Sequence, residues 1–122
     1  MIMLETKEKI TNTLLNIIQK KILSIKDNIN LATESRNEST KSSAGDKHET
    51  SRALIQIEID NYSEQLNKAL IQKNELQNIS LTNKKNKVEI GSLVVTSHGI
   101  YFIGLGWGQL KIDNTIYFCI SL

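Results

Sequence analysis

The sequence predicts an α+β protein: a long N-terminal antiparallel helical hairpin, a coiled coil, followed by a small antiparallel β module. Two contrasts in composition and one in periodicity predict it. Residues 1–87 contain one glycine, Gly45, and one aromatic, Tyr62, whereas residues 88–122 hold every other glycine and aromatic. Few glycines amid many Lys, Glu, Gln and Leu favour helix, while β-branched and aromatic residues broken by glycine favour strands. Apolar residues in the first region recur at helical spacing, and those in the second come in short runs. The expected organisation is a hairpin over 1–81 with its tip at about 38–50, a linker over 82–87, and a β module over 88–122.

The first helix follows from Ile10, Leu14, Ile18, Ile22, Ile25, Ile29 and Ala32, whose spacings of three and four draw one apolar stripe. A second stripe runs through Ile55, Ile59, Tyr62, Leu66, Ala69 and Leu76, with Lys73 as a polar intruder. Alternating threes and fours make a coiled-coil seam. Two such helices joined by a short link fold back antiparallel because each stripe needs the other. A helix over 53–79 would be about 40 Å long at 1.5 Å per residue. The competing arrangement is one continuous helix in a dimeric coiled coil. Gly45, among the Ser and Thr of "ESTKSSAGD", argues against it, since these residues are weaker helix formers than Ala.

The stretch "TNKKNK" at 82–87 offers no apolar side chain to a core and reads as the linker. Beyond it the chain reads as a β-meander. "VEIGSLVVT" at 88–96 precedes a turn at "SHG", "IYFIGL" at 100–105 follows, and "QLKI" and "TIYFCISL" flank Asp113-Asn114, a two-residue hairpin turn. An apolar last strand invites association at its edge, so further chain or another surface is expected to cover it, and self-association through this edge is one candidate.

The charge balance excludes some functions. The net charge of +2 is diffuse, with 14 Lys+Arg against 11 Asp+Glu in residues 1–87 and only Lys111, Glu89 and Asp113 thereafter. No basic stripe interleaved with aromatics appears, which argues against direct reading of DNA or RNA. The single Cys119 has no internal disulfide partner, as suits a reducing compartment. "MIMLETKEKI" meets charge early and lacks the apolar stretch of a signal peptide, and no run approaches the roughly 20 residues that span a bilayer. A cytoplasmic protein that does not enter a membrane is expected.

The residues that carry chemistry sit around the lone glycine of the first region. In "GDKHE", 45–49, Asp46 is placed to cap the second helix, with Glu49 at the third position completing a capping box worth about 1–2 kcal/mol. A functional reading stands beside this one. Carboxylates three residues apart lie on one side of the first helical turn, and hard cations such as Mg²⁺ take one or two carboxylates with water in the other sites. At the end of a stiff hairpin, such a pair suits the completion of a metal site inside a narrow passage of another protein.

An N-terminal helical hairpin, a Gly-Asp-x-x-Glu at its tip and a C-terminal β module resemble the Gre-type transcript-cleavage factors of bacterial RNA polymerase. The resemblance implies that the hairpin enters the polymerase secondary channel. It further implies that Asp46 and Glu49 help to hold a Mg²⁺ ion shared with the polymerase, assisting its own hydrolysis of backtracked RNA. The protein would then be no enzyme by itself, would bind no metal in isolation, and would meet the RNA 3′ end only indirectly. The β module would resemble part of an FKBP-like domain and would stop short of that family's usual C-terminal end. Whether cleavage is stimulated or elongation is only modulated stays open.

Other residues have two readings each. Arg36, Lys41, Lys47 and Arg52 around the acids either balance Glu34 and Glu38 or meet a polymerase partner. Trp107, between Gly106 and Gly108, either fills the core or docks on the partner. His48 lies between the acids, yet positions 46, 48 and 49 do not converge on one helical face. His98 before Gly99 reads as a turn residue. Cys119 lacks a nearby base and an electropositive setting, so it reads as structural. There is no phosphate-binding loop, no Ser/His/Asp set and no zinc-type spacing. The alternative function is a non-catalytic coiled-coil interaction or oligomerisation protein with a β head, its tip acids serving only as caps.

Overall fold

A computed structural model describes residues 2–39, 46–82 and 87–122. Helix α1 spans Ile2–Ser39 and α2 spans Asp46–Gln77. Four strands follow: β1 Leu93–Thr96, β2 Gly99–Ile103, β3 Gly108–Ile112 and β4 Thr115–Ile120. The expected α+β class holds. The chain divides into two compact units, Ile18–Ile71, and Met1–Ile17 with Gln72–Leu122.

The Ile18–Ile71 unit is a helical hairpin. Ile18, Ile22, Ile25 and Ala32 of α1 and Ile59 and Ala69 of α2 are buried, which realises both apolar stripes. Ile29, Ile55, Tyr62 and Leu66 are half-buried at the margins of the same seam. Antiparallel return is marked by Arg36, in the last turn of α1, bonding Gln56 of α2. Arg36 continues the α1 stripe one step past Ala32, so a polar pair closes the seam at this end. The expected tip at about 38–50 is only partly visible, because residues 40–45 and the side chains of Ser39 and 46–48 lie outside the described residues.

The other unit holds the sheet, with Ile10 and Leu14 of α1, Leu76 of α2, and Phe102, Leu110, Tyr117 and Cys119 of the strands all buried. Lys9 Nζ lies 3.1 Å from Asp113 Oδ2, which brings α1 near the β3–β4 turn. Both groups are exposed, so the pair adds little stability.

Two sequence expectations for this unit need correction. The sheet is not an antiparallel meander: its order is β1-β2-β4-β3, and β2 pairs with β4 in parallel, Ile100 opposite Tyr117 and Phe102 opposite Cys119. The cause lies in the strand sequences. β3 carries exposed Gln109 and Lys111 around a single buried residue, Leu110. A meander would put this half-polar strand at an inner position. The observed order places it at an edge, where charge also discourages pairing with foreign strands, and brings together the two apolar strands. Gly108, at φ +98°, lies where the chain turns into β3.

The second correction concerns "VEIGSLVVT", of which only Leu93–Thr96 is a strand. Residues 89–92 form a turn in which Ser92 N–H donates to the Glu89 carbonyl at 3.0 Å and Glu89 N–H donates to Ser92 Oγ at 2.9 Å. Gly91 has φ +94°, and a Cβ there would collide with the Ser80 carbonyl oxygen. The β3–β4 turn is as expected. Asp113 and Asn114 take φ values of 49° and 70°, the left-handed pair that matches the twist of a two-residue hairpin. Of the expected linker 82–87, residues 83–86 lie outside the described residues.

Candidate functional site at the start of the second helix

Asp46 is the first residue of α2 and Glu49 lies in its first turn. A helix capped by Asp46 would begin one residue later, a shift within the usual uncertainty of helix ends. Both acids belong to the Ile18–Ile71 unit. The N-terminal end of a helix carries a partial positive charge, which favours carboxylates in that turn. Glu49 is exposed, and so is every residue from Glu49 to Leu54.

Arg36 and Gln56 mark level positions on the two antiparallel helices. Counting outward from them, α1 is described for three more residues, to Ser39, and α2 for ten, to Asp46, which lies about 15 Å along the axis from Gln56.

The predicted partner residues fall in different settings. Arg52 is exposed near the start of α2. Arg36 is half-buried and its Nη1 donates to Gln56 Oε1 at 2.6 Å. Lys41 lies outside the described residues, as do the side chains of Asp46, Lys47 and His48. Trp107 belongs to the sheet unit. Its side chain is half-buried, and its backbone nitrogen lies 3.0 Å from both the Leu105 and Cys119 carbonyl oxygens. His98 is exposed in the β1–β2 turn, its N–H donating to Thr96 Oγ1 at 3.1 Å. Cys119 is 1% exposed, and burial pushes its thiol up to about 11, the opposite of an activated nucleophile. Among the described residues, no three His, Cys, Asp or Glu side chains group as a metal site.

Sequence reading missed Gln56 and Asp60. Gln56 Nε2 donates to Asp60 Oδ1 at 3.0 Å while its oxygen accepts from Arg36. The available signal was Arg36 continuing the 25-29-32 spacing, a cation where the stripe calls for an apolar residue. Also unforeseen is an open recess of ≈ 470 Å³ in the sheet unit, lined by Asn74, Glu75, Asn78, Ile79 and Ile90 among others.

Set against protein-family models, curated proteins and solved structures, the chain matches none.

Proposed function

We propose that the protein is a Gre-like RNA polymerase secondary-channel factor. Its α2 start brings Asp46 and Glu49 to the polymerase's catalytic centre, in support of Mg²⁺-dependent cleavage of backtracked RNA. The observation that carries this reading is that residues 49–54 of α2 are exposed, in a helix that starts with Asp46 and holds Glu49 three residues on, the spacing that sets residues on one side of a helix.

The donor set fits a shared ion. Mg²⁺ prefers oxygen ligands and is commonly held by one or two carboxylates, the rest of its sphere being water and phosphate. Glu49 is exposed one turn from the helix start, and such a pair completes a site whose other ligands belong to the polymerase. When bound, the ion stabilises charge in an in-line phosphoryl displacement and lowers the pKa of its water. The part of this chain is to bring two negative oxygens to that place on a stiff support. In isolation it has no activity of its own, and its setting is the cytoplasm. Arg52, and Lys41 and Lys47 beside the acids, meet RNA phosphate or acidic channel walls. None of the described helices is long and apolar enough to cross a membrane.

The test uses stalled, backtracked elongation complexes. The native chain is expected to speed RNA shortening. Asp46→Asn and Glu49→Gln are each expected to abolish that effect while leaving the thermal midpoint in place, because Asn retains a capping oxygen and loses only the charge. RNA shortening no faster with the native chain than with buffer would overturn the cleavage reading.

A second reading, a coiled-coil interaction protein that associates through its β module, is favoured by one observation. Val95 on edge strand β1 and Ile116 and Ile120 on β4 are exposed. Under it, both acid variants would leave every binding activity intact.

A further inference from the structure

The geometry points to Arg36, Gln56 and Asp60 as a polar clasp whose role is to position the acid-bearing start of α2; its purpose rests on the proposed function. Arg36 Nη1 lies 2.6 Å from Gln56 Oε1, and Gln56 Nε2 lies 3.0 Å from Asp60 Oδ1. The Gln56 amide is thus held between a cation and an anion, its oxygen toward the guanidinium and its nitrogen toward the carboxylate. Turning the amide over would set donor against donor at one end and acceptor against acceptor at the other. One orientation is therefore fixed, and Asp60 acts on Arg36 through the amide without touching it. Hydrogen bonds to charged groups are stronger than neutral ones, and a chain of them polarises each member.

The place of this clasp gives it a task. Apolar contact is non-directional, so an Ile seam tolerates sliding, whereas one polar residue at a seam position fixes register. Arg36 occupies such a position, one step beyond Ala32. Beyond it, Glu49 through Leu54 of α2 are exposed. A slip of one residue would rotate α2 by about 100° and shift it by about 1.5 Å, turning the carboxylates away from their target. Arg36, Gln56 and Asp60 are positioning residues; they touch neither RNA nor metal.

The experiment compares the full chain with Arg36→Met, Gln56→Leu, the double variant, Arg36→Lys and Asp60→Asn. Hydrogen exchange is read at amides 50–56 and at amides 62–69, and RNA cleavage is titrated on backtracked complexes. Arg36→Met and Gln56→Leu are expected to speed exchange at 50–56 by about tenfold and leave 62–69 unchanged, since only the local opening is affected. The same variants are expected to lower the cleavage rate at saturation about tenfold with unchanged half-saturation, the sign of misplacement rather than lost binding. The double variant is expected to be no worse than the poorer single one, because the two groups act as a unit. Arg36→Lys and Asp60→Asn, which keep a donor and an acceptor, are expected to recover part of both signals.

Unchanged exchange at 50–56 in Arg36→Met would overturn the clasp, whatever happens to cleavage. Weakened half-saturation with an unchanged saturating rate would overturn it too, making Arg36 a partner contact. Failure of the native chain to stimulate cleavage is a separate result: it removes the functional reading and the positioning role with it, while the exchange data show whether the clasp orders the helix.

Discussion

At the scale of single residues, backbone geometry and burial give the firmest expectations. Gly91 holds φ +94° with the Ser80 carbonyl packed where a Cβ would stand. Gly91→Ala is therefore expected to destabilise the protein by about 2–4 kcal/mol in urea unfolding, through left-handed strain together with the collision. Cys119 gives an expectation in pH. Burial raises its thiol from 9.0 to about 11, so between those values the unfolded chain has released a proton that the folded one retains. Its contribution to stability is fully present below pH 9 and is lost as the pH rises through 11. Denaturation midpoints across this window should fall more steeply for the native chain than for Cys119→Ala, which separates the thiol from titrating Lys and Tyr. Cys119 as a structural residue was legible in the sequence, because an alternating apolar strand with no basic neighbour offers nothing to ionise it. Gln56 was not legible. A glutamine beside a seam looks like solvated surface until the partner helix supplies the cation facing it.

Elements were legible where periodicity is long and ambiguous where it is short. Both helices follow from stripes of six or seven apolar residues, a signal that local preference cannot erase. The β3–β4 turn was equally plain, since Asp-Asn between two β-rich runs accommodates positive φ at both central positions. Asn114→Val is expected to destabilise by about 1–2 kcal/mol, because a β-branched residue at φ 70° is strained; thermal unfolding reads this directly. Strand order was not legible, because every strand is short and pairing is a property of the whole sheet. The decisive feature was the half-polar character of Gln109–Lys111, which sends β3 to an edge and leaves β2 to pair in parallel with β4. The start of β1 was misread for a local reason: "VEIG" has strand composition, but Gly91 with Ser92 folds it into a turn.

At the scale of the whole molecule, one feature links sequence to the proposed function, an acid pair at the start of a helix whose residues 49–54 are exposed. The sequence marks that pair after a lone glycine, which locates the candidate site but leaves both capping and metal assistance open. The register of the two helices is fixed by a cross-helix pair, Arg36 with Gln56. The most direct measurement is site-specific photocrosslinking from Arg52, an exposed position near the start of α2. With the probe there and the chain bound to an RNA polymerase elongation complex, we expect crosslinks to polymerase segments lining the catalytic Mg²⁺ and its entry channel. The same probe at Ile116 should mark other segments. Crosslinks from Arg52 only to a second copy of the chain, or none to polymerase, would contradict the proposal and leave an oligomerising hairpin in its place.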